Sequence, residues 1–240
     1  MKACICGTVL LISSFSFILP AHSGKQAGKP SHKSDTIFLK KRKTPGDNIV
    51  YVEQDRNSKF YQKMLDFKLD TYDSAQYAHI RLDLQKQGVK YHNKTSALQG
   101  LPRKWVAVHR YKQSYYLYFP ADFGVANRKM ITDSTICYSN MDGFNPEAII
   151  SLAKKGNSAW DFTVESAAGV RHHILIHIID PKTMLAIWEI PGKNNSRFDL
   201  CVPAQNAQAF NMIVNDTNGD LPDEFEFDQI DFKQLLKHSR

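Results

Sequence analysis

From Leu101 onward the apolar residues of this chain recur at every second position in short runs, and that period restricts the fold more than any other feature. Side chains alternate faces along a strand, so runs of this kind build sheets and exclude a helical bundle. Lys104–Tyr111 and Ser114–Phe119 flank Lys112-Gln113, which reads as a two-residue hairpin turn without glycine. On the first run Val106 and Val108 share a face, while Trp105, Ala107, His109 and Tyr111 share the other. On the second, Tyr116 and Tyr118 oppose Tyr115, Leu117 and Phe119. Both faces are substantially apolar, which predicts a sheet packed on each side. Further strands are expected at 129–132, 134–138, 148–153, 160–165, 172–179, 184–190, 198–202 and 209–214. Asp180-Pro181-Lys182-Thr183 supplies the Asp and Pro that a type I turn wants, marking 172–190 as a hairpin. The expected fold is mainly β: an antiparallel meander barrel or sandwich of about eight to ten strands.

Ahead of these runs the period differs. Ile49-Val50-Tyr51-Val52 suits a short strand. Ser58 to Gln87 then places Phe60, Met64, Phe67 and Leu69, and afterwards Tyr77, Ile80 and Leu84, at three- and four-residue spacing. Two short helices are expected, the second capped by Asp73 or Ser74 and stopped at Gly88. The chain thus divides into a helical appendage at 48–94 and a β domain at 95–240 with an acidic C-terminal segment.

Residues 1–23 read as a secretory signal. Lys2 is followed by an apolar run of about a dozen residues containing Val9, Leu10, Leu11, Ile12, Phe15, Phe17, Ile18 and Leu19, and Ala21-His22-Ser23 supplies a cleavage site. That run is too short for a bilayer-spanning helix, and Cys4 and Cys6 precede it, where a lipid-anchor cysteine would follow it. An exported product, periplasmic or secreted, is expected. Residues 24–47 form a Gly/Pro/Ser/Lys arm expected to be disordered. From Gly24 to Lys43 seven bases (Lys25, Lys29, Lys33, Lys40, Lys41, Arg42 and Lys43) face one acid, Asp35, whereas residues 44–240 hold 23 Lys plus Arg and 23 Asp plus Glu. The basic pI therefore belongs to the arm, and the neutral domain behind it carries no nucleic-acid signature. Such an arm suits contact with an anionic surface such as lipid headgroups or acidic glycans.

Cys137 and Cys201 remain beyond the leader. In an exported protein two cysteines suggest a disulfide worth roughly 4 kcal/mol; their apolar strand-like surroundings equally suit two buried thiols. His172-His173-Ile174-Leu175-Ile176-His177 resembles a metal site only on a helix. On a strand His173 and His177 stand roughly 13 Å apart, too far to share a metal whose ligands bind at about 2 Å, and His172 points to the opposite face. In Asp216-Thr217-Asn218-Gly219-Asp220-Leu221-Pro222-Asp223-Glu224, the oxygen ligands Asp216, Asn218, Asp220 and Asp223 have a spacing that suits Ca²⁺. An EF-hand is excluded by Leu221 at its sixth position and Phe227 at its twelfth. The spacing resembles the short calcium loops of integrin-type propeller repeats, though an Asn-Gly turn with exposed acids needs no metal. From Asp216 to Asp231 there are seven acids and no base.

Enzymatic signatures are thin: there is no G-x-S-x-G elbow, no H-E-x-x-H and no phosphate-binding glycine loop. Asp161, Glu165 and Glu189 could form a glycosidase pair only if the sheet set two of them face to face. The aromatic group Trp105, Tyr111, Tyr115, Tyr116, Tyr118, Phe119 and Trp188 serves either as core or as the lining of a ligand site. An eight-stranded barrel has room for one small ligand.

An aromatic first hairpin after Leu98-Gln99-Gly100-Leu101-Pro102-Arg103-Lys104-Trp105, followed by a meander, resembles the lipocalin or calycin barrels over roughly residues 95–215. That family's opening motif is Gly-x-Trp; here four residues separate Gly100 from Trp105. The style also resembles exported bacterial proteins, a likeness that implies no activity. The lipocalin resemblance implies a small hydrophobic ligand in the barrel mouth. On that reading Val106, Val108 and Trp188 help form the interior, with Trp105 and Tyr116 near the mouth. The expectation is an exported, non-enzymatic binding protein for a small apolar ligand or a surface partner. The alternatives are a calcium-stabilised cell-envelope module recognising glycan or protein, and a carbohydrate-active enzyme.

Overall fold

The structure, a computed structural model, describes residues 37–40, 49–89, 96–122, 127–140, 143–216 and 224–238. Its strands are β1 (Ile37–Lys40), β2 (Ile49–Glu53), β3 (Lys104–Tyr111), β4 (Ser114–Phe119), β5 (Arg128–Ile131), β6 (Thr135–Asn140), β7 (Gly143–Lys155), β8 (Ala159–Glu165), β9 (Arg171–Asp180), β10 (Leu185–Ile190), β11 (Arg197–Pro203) and β12 (Asn211–Asp216). The helices are α1 (Lys59–Met64), α2 (Thr71–Lys86) and α3 (Phe232–His238), and a 3₁₀ turn occupies Ala204–Ala209. The leader expected at 1–23 lies outside the described residues.

β5 to β11 form an antiparallel meander, and β3 pairs with both β11 and β5 to close an eight-stranded antiparallel barrel. β3 has two duties. Its first half, Lys104–Ala107, closes the barrel; its second half, Val108–Tyr111, pairs with β4. From there a side sheet runs β4-β12-β2-β1, in which β4 and β12 are parallel. The two-residue turn between β3 and β4 has positive φ at both Lys112 (46°) and Gln113 (67°), the geometry of a type I′ hairpin made without Asn or Gly. Two strands depart most from the sequence reading. β1 forms inside the arm expected to be disordered, because Ile37, Phe38 and Lys40 pair with the exposed edge of β2. β7 begins five residues early: Phe144, Pro146 and Ala148 alternate onto the buried outer face of the barrel, and α2 packs against this strand.

Alternation then sorts the side chains into two cores. Register partners share a face, so the chain of pairings Trp105↔Lys129↔Tyr138 and the row Trp160↔Ile176↔Trp188↔Asp199 all point into the barrel. The interior is filled by Trp105, Ile131, Ile136, Ile149, Trp160, Phe162, Val164, Ile174, Ile176, Ile178 and Trp188, with Leu98 and Leu101 at one end. Val106 and Val108, expected in that interior, face the other way. They join Leu117, Leu185, Ile187, Leu200, Val202, Met212 and Val214 in a second core beneath α1 and α3. α1 is capped by Ser58 and α2 by Asp70, whose carboxylate accepts from the Asp73 backbone N–H at 2.8 Å; the cap is one turn earlier than the expected Asp73 or Ser74.

Cys137 and Cys201 are free, buried thiols. From β6 to β11 the sheet passes through β5 and β3, three strand spacings or about 14 Å, while a disulfide needs Cα atoms within about 7 Å. Cys201 faces the interior, whereas Cys137 contacts the hydroxyl of Thr135, which meets Tyr77 of α2. Burial pushes both thiols up to about 11, so neither is a ready nucleophile.

Candidate functional site

At one end the barrel interior turns polar. Lys129, 1% exposed, places its Nζ 3.0 Å from Asp199 Oδ2 and donates to Asn127 Oδ1 at 2.7 Å. It also sits 5.6 Å from the centre of the Trp188 ring. Burial pushes the Asp199 carboxyl up, but Lys129, Arg197 and Asn127 outweigh it and hold the group below the usual carboxylate range. Nearby, Glu147 Oε2 lies 3.3 Å from His172 Nε2. Burial raises Glu147 to about 7 against the pull of Arg197, and burial lowers His172, so both partners are drawn toward their neutral forms. The ion pair of Lys129 is closed on itself; a buried charge without its partner would be costly.

The open site lies at the rim beside this polar layer. Two residues beyond Ala107 on the inward face of β3, His109 reaches the barrel edge, where the chain segment 224–231 crosses it. The Asp228 backbone N–H donates to the Arg110 carbonyl at 2.9 Å and pins the segment to β3. The Phe227 ring stacks on His109 at 4.5 Å, and Tyr118 meets Phe227 edge-on at 4.9 Å. Phe225 meets Phe227 edge-on at 5.0 Å, and Tyr111 meets Phe225 at the same distance. The Tyr118 hydroxyl organises the polar side: it accepts from Asn215 Nδ2 and the Phe225 backbone N–H, both at 3.1 Å, and donates to Glu224 Oε2.

These groups surround a cleft of about 240 Å³ lined by Met64, Ala107, His109, Tyr118, Pro120, Asn127, Glu224, Phe225 and Phe227. Burial pushes the His109 imidazole down to about 4, with Asp199 opposing, so it is neutral near pH 7. Burial and the Glu224 contact raise Tyr118 to about 12, which keeps its hydroxyl proton available to the carboxylate. Glu224 and Phe225 also border a second, wider depression with Lys40, Val50 and Glu226.

Of the residues expected at a ligand site, Trp105 and Trp188 come together and Tyr116 stays apart. The two indoles meet edge-to-face at 5.7 Å, 0% and 1% exposed, and Trp105 Nε1 donates to the Pro102 carbonyl at 2.8 Å. Trp105 is thus core and not mouth. Tyr116 stands on β4 opposite His109 in register, its ring 6.5 Å from that of Tyr111. Of the calcium ligands proposed from spacing, Asp216 closes β12, while Asn218, Asp220 and Asp223 lie outside the described residues. Among the described residues no group of three or more His, Cys, Asp or Glu side chains is placed to hold a metal.

The strand histidines each meet an acid. His173 Nδ1 lies 2.9 Å from Asp161 and His177 Nε2 lies 3.2 Å from Glu189, while Arg171 pairs with Glu165. The three carboxylates considered for glycoside hydrolysis therefore each engage a basic side chain. Sequence reasoning missed His109, Asn127, Glu224 and Phe227 as a group. The available signal was the clean alternation Glu224-Phe225-Glu226-Phe227-Asp228, an extended segment with rings on one face.

The chain matches no protein-family model, no curated protein and no solved structure.

Proposed function

We propose that this protein is an exported, non-enzymatic binding protein whose ligand, a small molecule with an apolar body, sits in the rim cleft of a lipocalin-like barrel. The observation that carries the reading is the cleft itself. Phe225, Phe227, Tyr118 and Met64 supply apolar walls, and His109, Asn127 and Glu224 supply a few polar groups, the composition of a small-molecule site. The interior is a poorer host, since three tryptophans and a set of isoleucines fill it. The leader-like start supports export, and the closed eight-stranded antiparallel barrel supports the lipocalin likeness.

Titration with N-phenyl-1-naphthylamine, an uncharged apolar fluorophore, tests this reading. Saturable binding of one probe per chain is expected, weakened about tenfold by Phe227→Ala, which removes one wall. Absence of saturable binding, or binding indifferent to that substitution, removes the rim cleft as the site.

A further inference from the structure

The cleft has an electrostatic character that narrows its ligand. We infer that it takes a small organic cation, a substituted ammonium group, held against the ring-lined wall and balanced by the Glu224 carboxylate; this rests on the rim cleft being the binding site. The first observation is the set of rings. Tyr118, Phe225, Phe227 and the His109 imidazole all line the cleft and pack on one another, with neighbouring ring centres 4.5–5.7 Å apart. The negative faces of aromatic rings attract a cation, and the attraction strengthens as the cation loses water.

The second observation is charge. Glu224 is the one acidic side chain among the described residues that line the cleft, and no Lys or Arg is among them. His109 is neutral near pH 7 and adds no opposing charge. Lys129 stands behind Asn127, and its ammonium is matched by Asp199 at 3.0 Å. Lys40 borders the neighbouring depression, where Glu226 accompanies it. The Tyr118 hydroxyl, donating to Glu224, fixes the carboxylate at the cleft wall. The surrounding sequence adds to this field, since Asp216 to Asp231 holds seven acids and no base.

An anion would meet Glu224 with no cation among the described lining residues to receive it. A neutral apolar molecule would fill the same volume but leave the carboxylate without a partner of opposite sign. A cation with methyl or methylene groups around its charge satisfies both the rings and the acid.

Three molecules of one shape and different charge test this: choline, its uncharged isostere 3,3-dimethyl-1-butanol, and the anion 3,3-dimethylbutanoate. Each is titrated as a competitor of N-phenyl-1-naphthylamine on the full chain. Choline is expected to bind about tenfold tighter than the alcohol, the anion weakest, and the choline advantage to shrink with added salt. Glu224→Gln keeps an oxygen for Tyr118 and is expected to remove the choline advantage while leaving the alcohol unchanged, which also shows that the variant is folded. If the alcohol competes as well as choline, or Glu224→Gln leaves the choline advantage intact, the cation reading is overturned and the cleft stands as an apolar site. If the fluorophore itself fails to bind, the cleft reading falls with it.

Discussion

Trp105 and His109 stand on the same face of β3, four residues and about 13 Å apart, and end in opposite surroundings. Trp105 meets Trp188 inside a closed barrel, where Lys129 is paired with Asp199 and Asn127 and Glu147 lies beside His172. His109 meets Phe227 at a rim where the barrel has ended and a segment without regular structure lies over it. Both regions are rich in rings. The difference is that barrel closure gives the interior neighbours on every side, whereas the rim has strand on one side and a single crossing segment on the other. Aromatic density therefore forms core where a sheet surrounds it, and lines an open cleft where the sheet stops.

The strongest way to break this comparison is to empty the interior. Trp188→Ala removes one indole from the edge-to-face pair and one face of the Lys129 site, with an expected loss of about 3–5 kcal/mol by chemical denaturation. A loss near 1 kcal/mol would mean that the interior has room to collapse, and the ligand would then belong inside. Asp199→Ala comes next, at about 3 kcal/mol, because it leaves a buried ammonium unpaired. Adding Lys129→Met to Asp199→Ala is expected to restore most of that loss, since the apolar pair has no charge to strand. Failure to recover would show that Asp199 stabilises the barrel through Asn127 instead.

A pH series sharpens the comparison further, since the two regions respond with opposite sign. Glu147 titrates near 7 in the fold against 4.5 ordinarily, so between those values the folded protein holds a proton that the unfolded chain has lost. Stability attributable to Glu147 thus falls as pH rises from about 4.5 to 7. His109 titrates near 4 against 6.5, so between those values the unfolded chain holds the extra proton and stability rises with pH. In Glu147→Gln the first contribution is gone. Its melting temperature relative to wild type is expected to increase steadily from pH 4.5 to 7, and a flat difference would place Glu147 in contact with water.

The barrel was legible because most of its strands keep a two-residue alternation, with β10 and β11 instead buried on both faces, and β3, β4 and the 172–190 hairpin lie where the sequence put them. What escaped was decided by tertiary contact. Pro146 withholds a backbone donor and reads as a strand breaker, yet its ring is buried on the face that α2 covers. Alternation showed that Val106 and Trp105 face apart, but it could not say which face the barrel would enclose. That depends on β3 closing against β5 rather than continuing flat. The rim cleft was illegible for a related reason. His109 and Phe227 are 118 positions apart in sequence, and tertiary contacts such as the hydrogen bond from the Asp228 N–H to the Arg110 carbonyl bring them together. Of the two readings left open for Cys137 and Cys201, strand order decides for buried thiols, and spacing along a sequence does not contain strand order.

The smallest test asks whether interior and rim melt as one unit. β3 serves both, and its turn to β4 holds Lys112 and Gln113 at φ of 46° and 67°, a region that side chains with a Cβ enter at some cost. Replacing the pair by Asn-Gly, the residues a type I′ turn favours, is expected to stabilise the fold by about 1 kcal/mol. Tryptophan emission reports the interior, because Trp105, Trp160 and Trp188 all lie there. Near-ultraviolet dichroism at tyrosine wavelengths weights the rim and side sheet, where Tyr111, Tyr116 and Tyr118 cluster. If β3 ties the regions into one cooperative unit, both signals shift upward together. If only the tyrosine signal moves, the rim opens independently of the barrel, and binding in the cleft would then stabilise the rim and leave the core transition where it was.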